Sequence, residues 1–197
     1  HHARIIDTHE FQRLRNVQQL STCEFVFPSA THTRFAHSLG AYHLAGALTD
    51  SLQEVQPGLL SNEDAELVRL GALLHDIGHP PYSHLLETPE VFATYHSHEH
   101  WGRVMLEDTS SEIGQVLAEV LGTERKKRLF SILDGANECD GIAIAPFLKE
   151  IISSQLDVDR MDYMIRDQAN TGAQISPVAW MQFFEAWKRG DFKKKKK

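Results

Sequence analysis

Apolar side chains recur at helical spacing along most of the chain, and glycine, proline and capping residues punctuate them. Asp7 with Glu10 three residues on reads as a capping box. Phe11, Leu14, Val17 and Leu20 then predict a first helix from Asp7 to about Leu20, with Gln12, Arg13, Arg15 and Gln19 on its polar side. Cys23 to Pro28 reads as a short extended apolar segment, and 29–33 as a loop. Phe35, Leu39, Tyr42, Ala45, Leu48, Leu52 and Val55 predict a long helix from about Arg34 to Glu54, stopped at Pro57-Gly58. Asn62 is read as the cap of the next helix, whose buried face of Leu67, Leu70, Leu73 and Leu74 runs up to His75, with Gly78 placed for the stop.

Further helices are expected after Ser97 (through Met105) and after Ser111 (to Gly122). A charged helix spans 124–133, and Pro146 at N1 opens one to about Gln155. Val158, Met161 and Ile165 mark another. Ser176-Pro177 starts the last, with Trp180, Phe183, Phe184 and Trp187 on its apolar side. Residues 134–141 read as a loop. With no run of strands, no internal repeat and no linker, the expectation is one all-α domain over residues 1–192, followed by a lysine tail at 193–197.

Composition bounds the picture. The 197 residues are 42% hydrophobic and 24% charged, ordinary for a globular chain able to bury a core. No apolar stretch approaches the roughly 20 residues of a bilayer span, so no membrane partner is expected. The start, His1-His2-Ala3-Arg4, lacks the apolar core of a signal peptide. Cys23 and Cys139 make no disulfide framework and no zinc knuckle. A reducing, cytoplasmic setting follows as the simpler expectation. The net charge is −7 even though the last five residues are lysines, so the body is more acidic still and no stable nucleic-acid complex is expected.

The chemistry concentrates after the second long helix, in Leu74-His75-Asp76-Ile77-Gly78-His79-Pro80-Pro81-Tyr82-Ser83-His84. An apolar segment delivers a histidine and a carboxylate side by side, both metal-ligand types and too polar to bury without a partner. Taken alone, such a pair reads more readily as a polar helix end than as a site. Candidate partners lie elsewhere: His37 on the first turn of the long helix, the acids of Asp157-Val158-Asp159-Arg160-Met161-Asp162-Tyr163, and His98-Glu99-His100. Those acids also suit capping and the helix dipole. Spacing alone does not close a site over such separations; it puts ligand types on different helices of a bundle, where bundle metal sites are built.

The order His37, His75-Asp76, Asp159 resembles the HD superfamily of metal-dependent phosphohydrolases. Further blocks look like its deoxynucleotide triphosphohydrolase branch. These are Phe11-Gln12-Arg13-Leu14-Arg15, Gln19-Leu20, Val26-Phe27-Pro28, Arg34-Phe35-Ala36-His37-Ser38-Leu39-Gly40, His75-Asp76-Ile77-Gly78-His79, Ser83-His84, His98-Glu99 and Asp157 to Tyr163, in order over roughly residues 4 to 172. The resemblance implies an HD-domain helical bundle with a metal site in its core, ligated by His37, His75, Asp76 and Asp159. Two imidazoles and two carboxylates suit Mn, Fe, Mg or Zn without choosing among them. It further implies that His79, His84 and His98 face the phosphates, with Glu87 orienting His98 and raising its basicity. By the same resemblance Arg34 and Arg160 contact phosphate, while Gln19, Leu20, Tyr163 and Asp167 line the sugar side. Asp7, Gln12 and Arg15 match positions where a mammalian member binds an activating nucleotide.

Compared with that branch, the chain lacks an N-terminal strand segment and a C-terminal lobe, which reads as a compact relative or a fragment of a longer protein. His96 and His100 have no assigned role. The expected activity is conversion of a dNTP to deoxynucleoside and triphosphate: a metal activates water for attack at the α-phosphorus, and His98, with His84, protonates the leaving 5′-oxygen. The alternatives are an HD phosphohydrolase acting on a nucleoside monophosphate, a cyclic nucleotide or an alarmone, and a non-catalytic nucleotide-sensing module. A nuclease fits the acidic body poorly. Partners are a nucleotide substrate and, in assembly, further copies of the chain as a homo-oligomer.

Overall fold

The computed structural model describes residues 1–87 and 96–173, which fold as a helical bundle with one two-residue hairpin. Its frame is three helices: α3 (Arg34–Val55), α4 (Asn62–Leu74) and α8 (Val158–Thr171), with α3 packed on both α4 and α8. Thr33 caps α3 by accepting from the Ala36 amide. Ser61, one residue before the expected Asn62, caps α4. Ser61 Oγ accepts from the Asp64 amide at 3.0 Å, while Asn62 is the first helical residue and accepts from Gln53 instead. Leu67, Leu70, Leu73 and Leu74 are buried as their spacing predicts. Asp157 caps α8 through the Arg160 amide at 2.7 Å, and Gly172 ends it at φ 72°.

The N-terminal expectation needs correction. A helix α1 (His2–Ile6) precedes Asp7, whose amide closes that helix on Ala3, and Thr8 takes the cap position of α2 (His9–Gln12). The chain then tightens into a 3₁₀ turn (Arg13–Asn16) and leaves the helix at Val17, short of Leu20. Tertiary bonding ends it: the Val17 carbonyl accepts from Arg34 N at 2.8 Å, and Gln18 bridges to Thr33. Residues 23–28 are not extended. Cys23–Phe25 form a 3₁₀ turn with Phe25 81% exposed, and among the described residues no strand pairs with them.

Beyond the frame, α5 (His98–Glu107) and α6 (Glu112–Asp134) pack together, and α6 is interrupted at Gly122 (φ 68°) where one helix was expected to end. The expected loop at 134–141 contains β1 (Glu138–Cys139), paired antiparallel with β2 (Ile142–Ala143) across Asp140-Gly141, both at positive φ as a tight hairpin turn requires. In α7 (Phe147–Ile152), Pro146 sits at the cap rather than N1, and the helix stops before Gln155. No described helix is long and apolar enough to cross a membrane. The helix expected from Ser176 lies outside the described residues.

Candidate active site

Three helices each deliver part of one polar cluster inside the bundle. α3 brings His37, fully buried; the end of α4 brings His75 and Asp76; and the first turn of α8 brings Asp159. Ligand atoms of His37, His75 and Asp76 lie within 4.8 Å of one another. Asp159 Oδ1 is 3.1 Å from His37 Nε2 and 3.6 Å from His75 Nε2, so the fourth expected residue joins through both rings. The outer nitrogens are tied off: His37 Nδ1 is 2.8 Å from Asp162 Oδ2, and His75 Nδ1 is 2.9 Å from the Ala72 carbonyl. With the protons on Nδ1, both Nε2 lone pairs turn inward, and both Nε2 atoms are buried without a hydrogen-bond partner. Orphaned inward nitrogens, outer nitrogens held by acceptors and two facing carboxylates are the donor chemistry of a divalent-metal site, and the four residues fit one.

Electrostatics agree with a site built for positive charge. Burial alone disfavours protonated His37, but Asp159 and Asp162, with the charge of Asp76, outweigh it and raise its pKa to about 9. Burial of His75 is overcome in the same way by Asp76 and Asp159. Burial of Asp76 and Asp159 would raise their pKa values, yet the surrounding histidines, and for Asp76 also Arg34, hold both well below the usual carboxylate range. Protons on the rings or a divalent cation would neutralise the two carboxylates.

A second group sits beside the first. His79 and His98 stack at 3.8 Å between ring centroids, and His84 meets both edge-on. Glu87, 10% exposed at its side chain, accepts from His84 Nδ1 at 2.9 Å and from His98 Nδ1 at 3.0 Å. Burial would raise the Glu87 pKa, but the His84 hydrogen bond and the neighbouring histidine charges keep it lowered. His79 Nε2 is 3.4 Å from Asp76 Oδ1, linking the groups, and burial outweighs that carboxylate to lower its pKa to about 4.

Both groups open on one cavity of about 450 Å³. Of the residues expected on the substrate side, Gln19, Leu20, Arg34, Tyr163 and Asp167 line it. Gln19 Oε1 is buried and unpartnered. Arg34 is almost fully buried, bonded through Nη1 to Asp76 and through Nε to Ser83 Oγ at 2.9 Å. His32 Nε2 holds Asp167 Oδ1 at 2.7 Å. Arg160 is not brought to the cavity. Its side chain is half exposed and leans toward Asp157 at 3.6 Å. Asp7, Gln12 and Arg15 are engaged within the chain: Asp7 closes α1, Gln12 donates to the Ile6 carbonyl, and Arg15 donates to Gln12 and lies over the Phe35 ring. His96 and His100 stack on each other at 4.2 Å beside Trp101, exposed and away from the cavity. A larger hollow of about 580 Å³ between α5, α6 and the hairpin pairs Arg103 with Glu107 and Lys127 with Asp140, and no metal-ligand group gathers there among the described residues.

Several residues have roles that the sequence reading did not assign. Arg13, placed on the polar side of the first helix, is the clamp on the His-Asp turn, donating to the carbonyls of Ile77 (2.6 Å) and His79 (2.9 Å). Asp162 orients His37 while Arg166 holds it with two bonds at 2.7 and 2.8 Å. Its place three residues after Asp159, one helical turn on, was the available signal. Glu99, named beside His98 but given no role, lines the cavity, as does Lys149, which no motif marked. Gly78 lets the turn reach α5, since a Cβ there would lie 2.0 Å from the His98 carbonyl oxygen and 2.2 Å from Gly102 N.

Comparison with known proteins adds to this geometry. The family model described as HD domain matches residues 34–167. The deoxynucleoside triphosphate triphosphohydrolase SAMHD1 of Homo sapiens is 38% identical over 197 residues, covering 87% of this chain and 31% of that protein. An uncharacterized protein of Methanocaldococcus jannaschii is 39% identical over 174 residues, covering 88% and 31%. The chain thus spans about a third of the length of the curated relatives it matches. Among solved structures, a phosphohydrolase of Bacteroides thetaiotaomicron has a TM-score of 0.75 at 30% identity, over 93% of this chain and 42% of that one. A hypothetical protein of Aquifex aeolicus has a TM-score of 0.74 at 37% identity, over 93% and 46%.

Proposed function

The chain belongs to the HD-domain family, and from that premise we propose that it is a metal-dependent phosphohydrolase acting on deoxynucleoside triphosphates, releasing deoxynucleoside and triphosphate. One observation carries the reading. A cluster with two orphaned imidazole nitrogens presents His75, Asp76 and Asp159 to the same cavity as a carboxylate-supported histidine group and a set of sugar-sized polar residues. The similarity to a relative named as a dNTP triphosphohydrolase supports the substrate class.

His37, His75, Asp76 and Asp159 would hold the metal, which when bound supplies a Lewis acid for a phosphoryl oxygen and lowers the pKa of water. The remaining work falls to the chain. Arg34 is fixed by Asp76 and Ser83 with its Nη2 left as a donor toward phosphate. His98, oriented through Nδ1 by Glu87, offers Nε2 to protonate the leaving 5′-oxygen. His79, neutral through burial, donates Nε2–H toward Asp76 and holds that carboxylate in place. Gln19 Oε1 and the Asp167 carboxylate accept sugar hydroxyls, and Tyr163 and Leu20 close the apolar side.

The test is incubation with each of the four dNTPs and Mn²⁺ or Mg²⁺, products resolved by chromatography, with Asp76→Ala as control. Deoxynucleoside and triphosphate in equal amounts are expected from wild type and neither from the variant. Release of monophosphate alone, or no dNTP turnover by the metal-loaded protein, would overturn the assignment.

A further inference from the structure

The second histidine group has a geometry that proton delivery does not require. Nδ1 atoms of all three rings converge on one carboxylate, with His84 at 2.9 Å, His98 at 3.0 Å and His79 at 3.7 Å from Glu87 oxygens. One ligand atom from each of the four residues lies within 4.8 Å of the others. His79 is only 1% exposed, and its Nδ1 has no hydrogen-bond partner. Its other nitrogen faces Asp76 Oδ1 at 3.4 Å, which places the ring proton on Nε2 and leaves the Nδ1 lone pair aimed at the Glu87 anion. A lone pair buried against a carboxylate is an unfavourable pairing unless a positive centre lies between them. Stacking against His98 fixes the ring in that orientation.

We propose that His79, His84, Glu87 and His98 form a second cation site, separate from the His37, His75, Asp76 and Asp159 group, that takes a borderline transition metal such as Zn²⁺ or Co²⁺. Three imidazoles and one carboxylate favour such ions over Mg²⁺ or Ca²⁺, which want mostly oxygen ligands. A cation there uses the His79 lone pair and neutralises Glu87 at once. It also draws Glu87 away from His98, so the ion that fits this group slows turnover. That last consequence rests on the proposed role of His98, whereas the binding does not.

Metal-free protein titrated with Co²⁺, followed by visible absorption and by metal analysis after desalting, tests the site directly. Wild type is expected to take two equivalents per chain. His84 is 68% exposed at its side chain, so His84→Ala keeps the fold. It is expected to weaken one equivalent about tenfold or more, as is Glu87→Gln. Asp159→Ala is expected to weaken the other equivalent and leave this one. His100→Ala, which breaks the exposed His96–His100 stack, is expected to change neither. A tenfold loss in either second-group variant, with unchanged circular dichroism, supports the site. A single equivalent in wild type up to millimolar Co²⁺, a second equivalent that neither variant moves, or one lost in His100→Ala would overturn it. Failure of dNTP turnover with two equivalents bound would count against the substrate reading alone.

Discussion

Asp162 shows how a residue outside the expected ligand set can govern the site. Its carboxylate takes His37 Nδ1 at 2.8 Å, and Arg166 holds it from one turn further along α8. A Cβ at Gly40 would lie 1.8 Å from Asp162 Oδ1, so the glycine makes room for this arrangement. Asp162→Asn is expected to lower affinity for the His37, His75, Asp76 and Asp159 site about 10- to 100-fold, read by Mn²⁺ titration. Unchanged affinity would reduce Asp162 to packing. The histidines also set the pH response of the metal-free protein. His37 is raised from 6.5 to about 9, so its contribution is full below about 6.5 and is lost as pH rises through about 9; His75 acts in the same sense. His79 is lowered from 6.5 to about 4, so its contribution is present above about 6.5 and is lost as pH falls through about 4. Thermal melts in chelator should show a maximum near pH 6.5 with Tm falling on both sides. His37→Gln should flatten the alkaline limb.

At the scale of elements, the turn after α4 is held from two sides. Arg13 clamps its carbonyls and Gly78 lets α5 approach. Gly78→Ala forces backbone apart rather than a side chain, which costs about 1–3 kcal/mol. It should displace His98 more than the His-Asp pair. Turnover is therefore expected to fall further than metal affinity, a split measurable by kinetics beside a metal titration, with denaturant melts giving the stability loss. Leu70→Ala is the contrasting case. It empties a fully buried position on α4 and should cost about 2–5 kcal/mol without any direct effect on ligand geometry.

For the whole molecule, the proposed ligands come from three helices, so a bound cation would cross-link α3, the end of α4 and α8. Metal at one hundred times its Kd should stabilise the fold by about 2.7 kcal/mol, roughly 5–10 °C in Tm for a chain of this size. Chelation should reverse the shift, and Asp76→Ala should show little of it. The helices of this frame were legible because helical period, caps and stop signals are local. The runs Phe35 to Val55 and Leu67 to Leu74, the Pro57-Gly58 stop and the acids at the start of α8 each lie within a few residues of what they control. The proposed set His37, His75, Asp76 and Asp159 came from motif order, and the structure brings these four residues close together.

Tertiary structure decided what local sequence does not encode. The helical run that begins at His9 stops at Val17, where Arg34 N bonds the Val17 carbonyl, with no stop residue in the sequence to mark it. Arg13 turned inward because two carbonyls of a distant turn waited there, Asp167 found His32, and Glu87 gathered three histidines around itself. Each of these partnerships depends on where separate elements cross, and no periodicity along the chain records a distance across the bundle. Sequence by itself therefore determined the helices and the kinds of chemistry they carry. The fold decided which polar groups meet, because buried donors and acceptors must be paired with whatever the packing brings within reach.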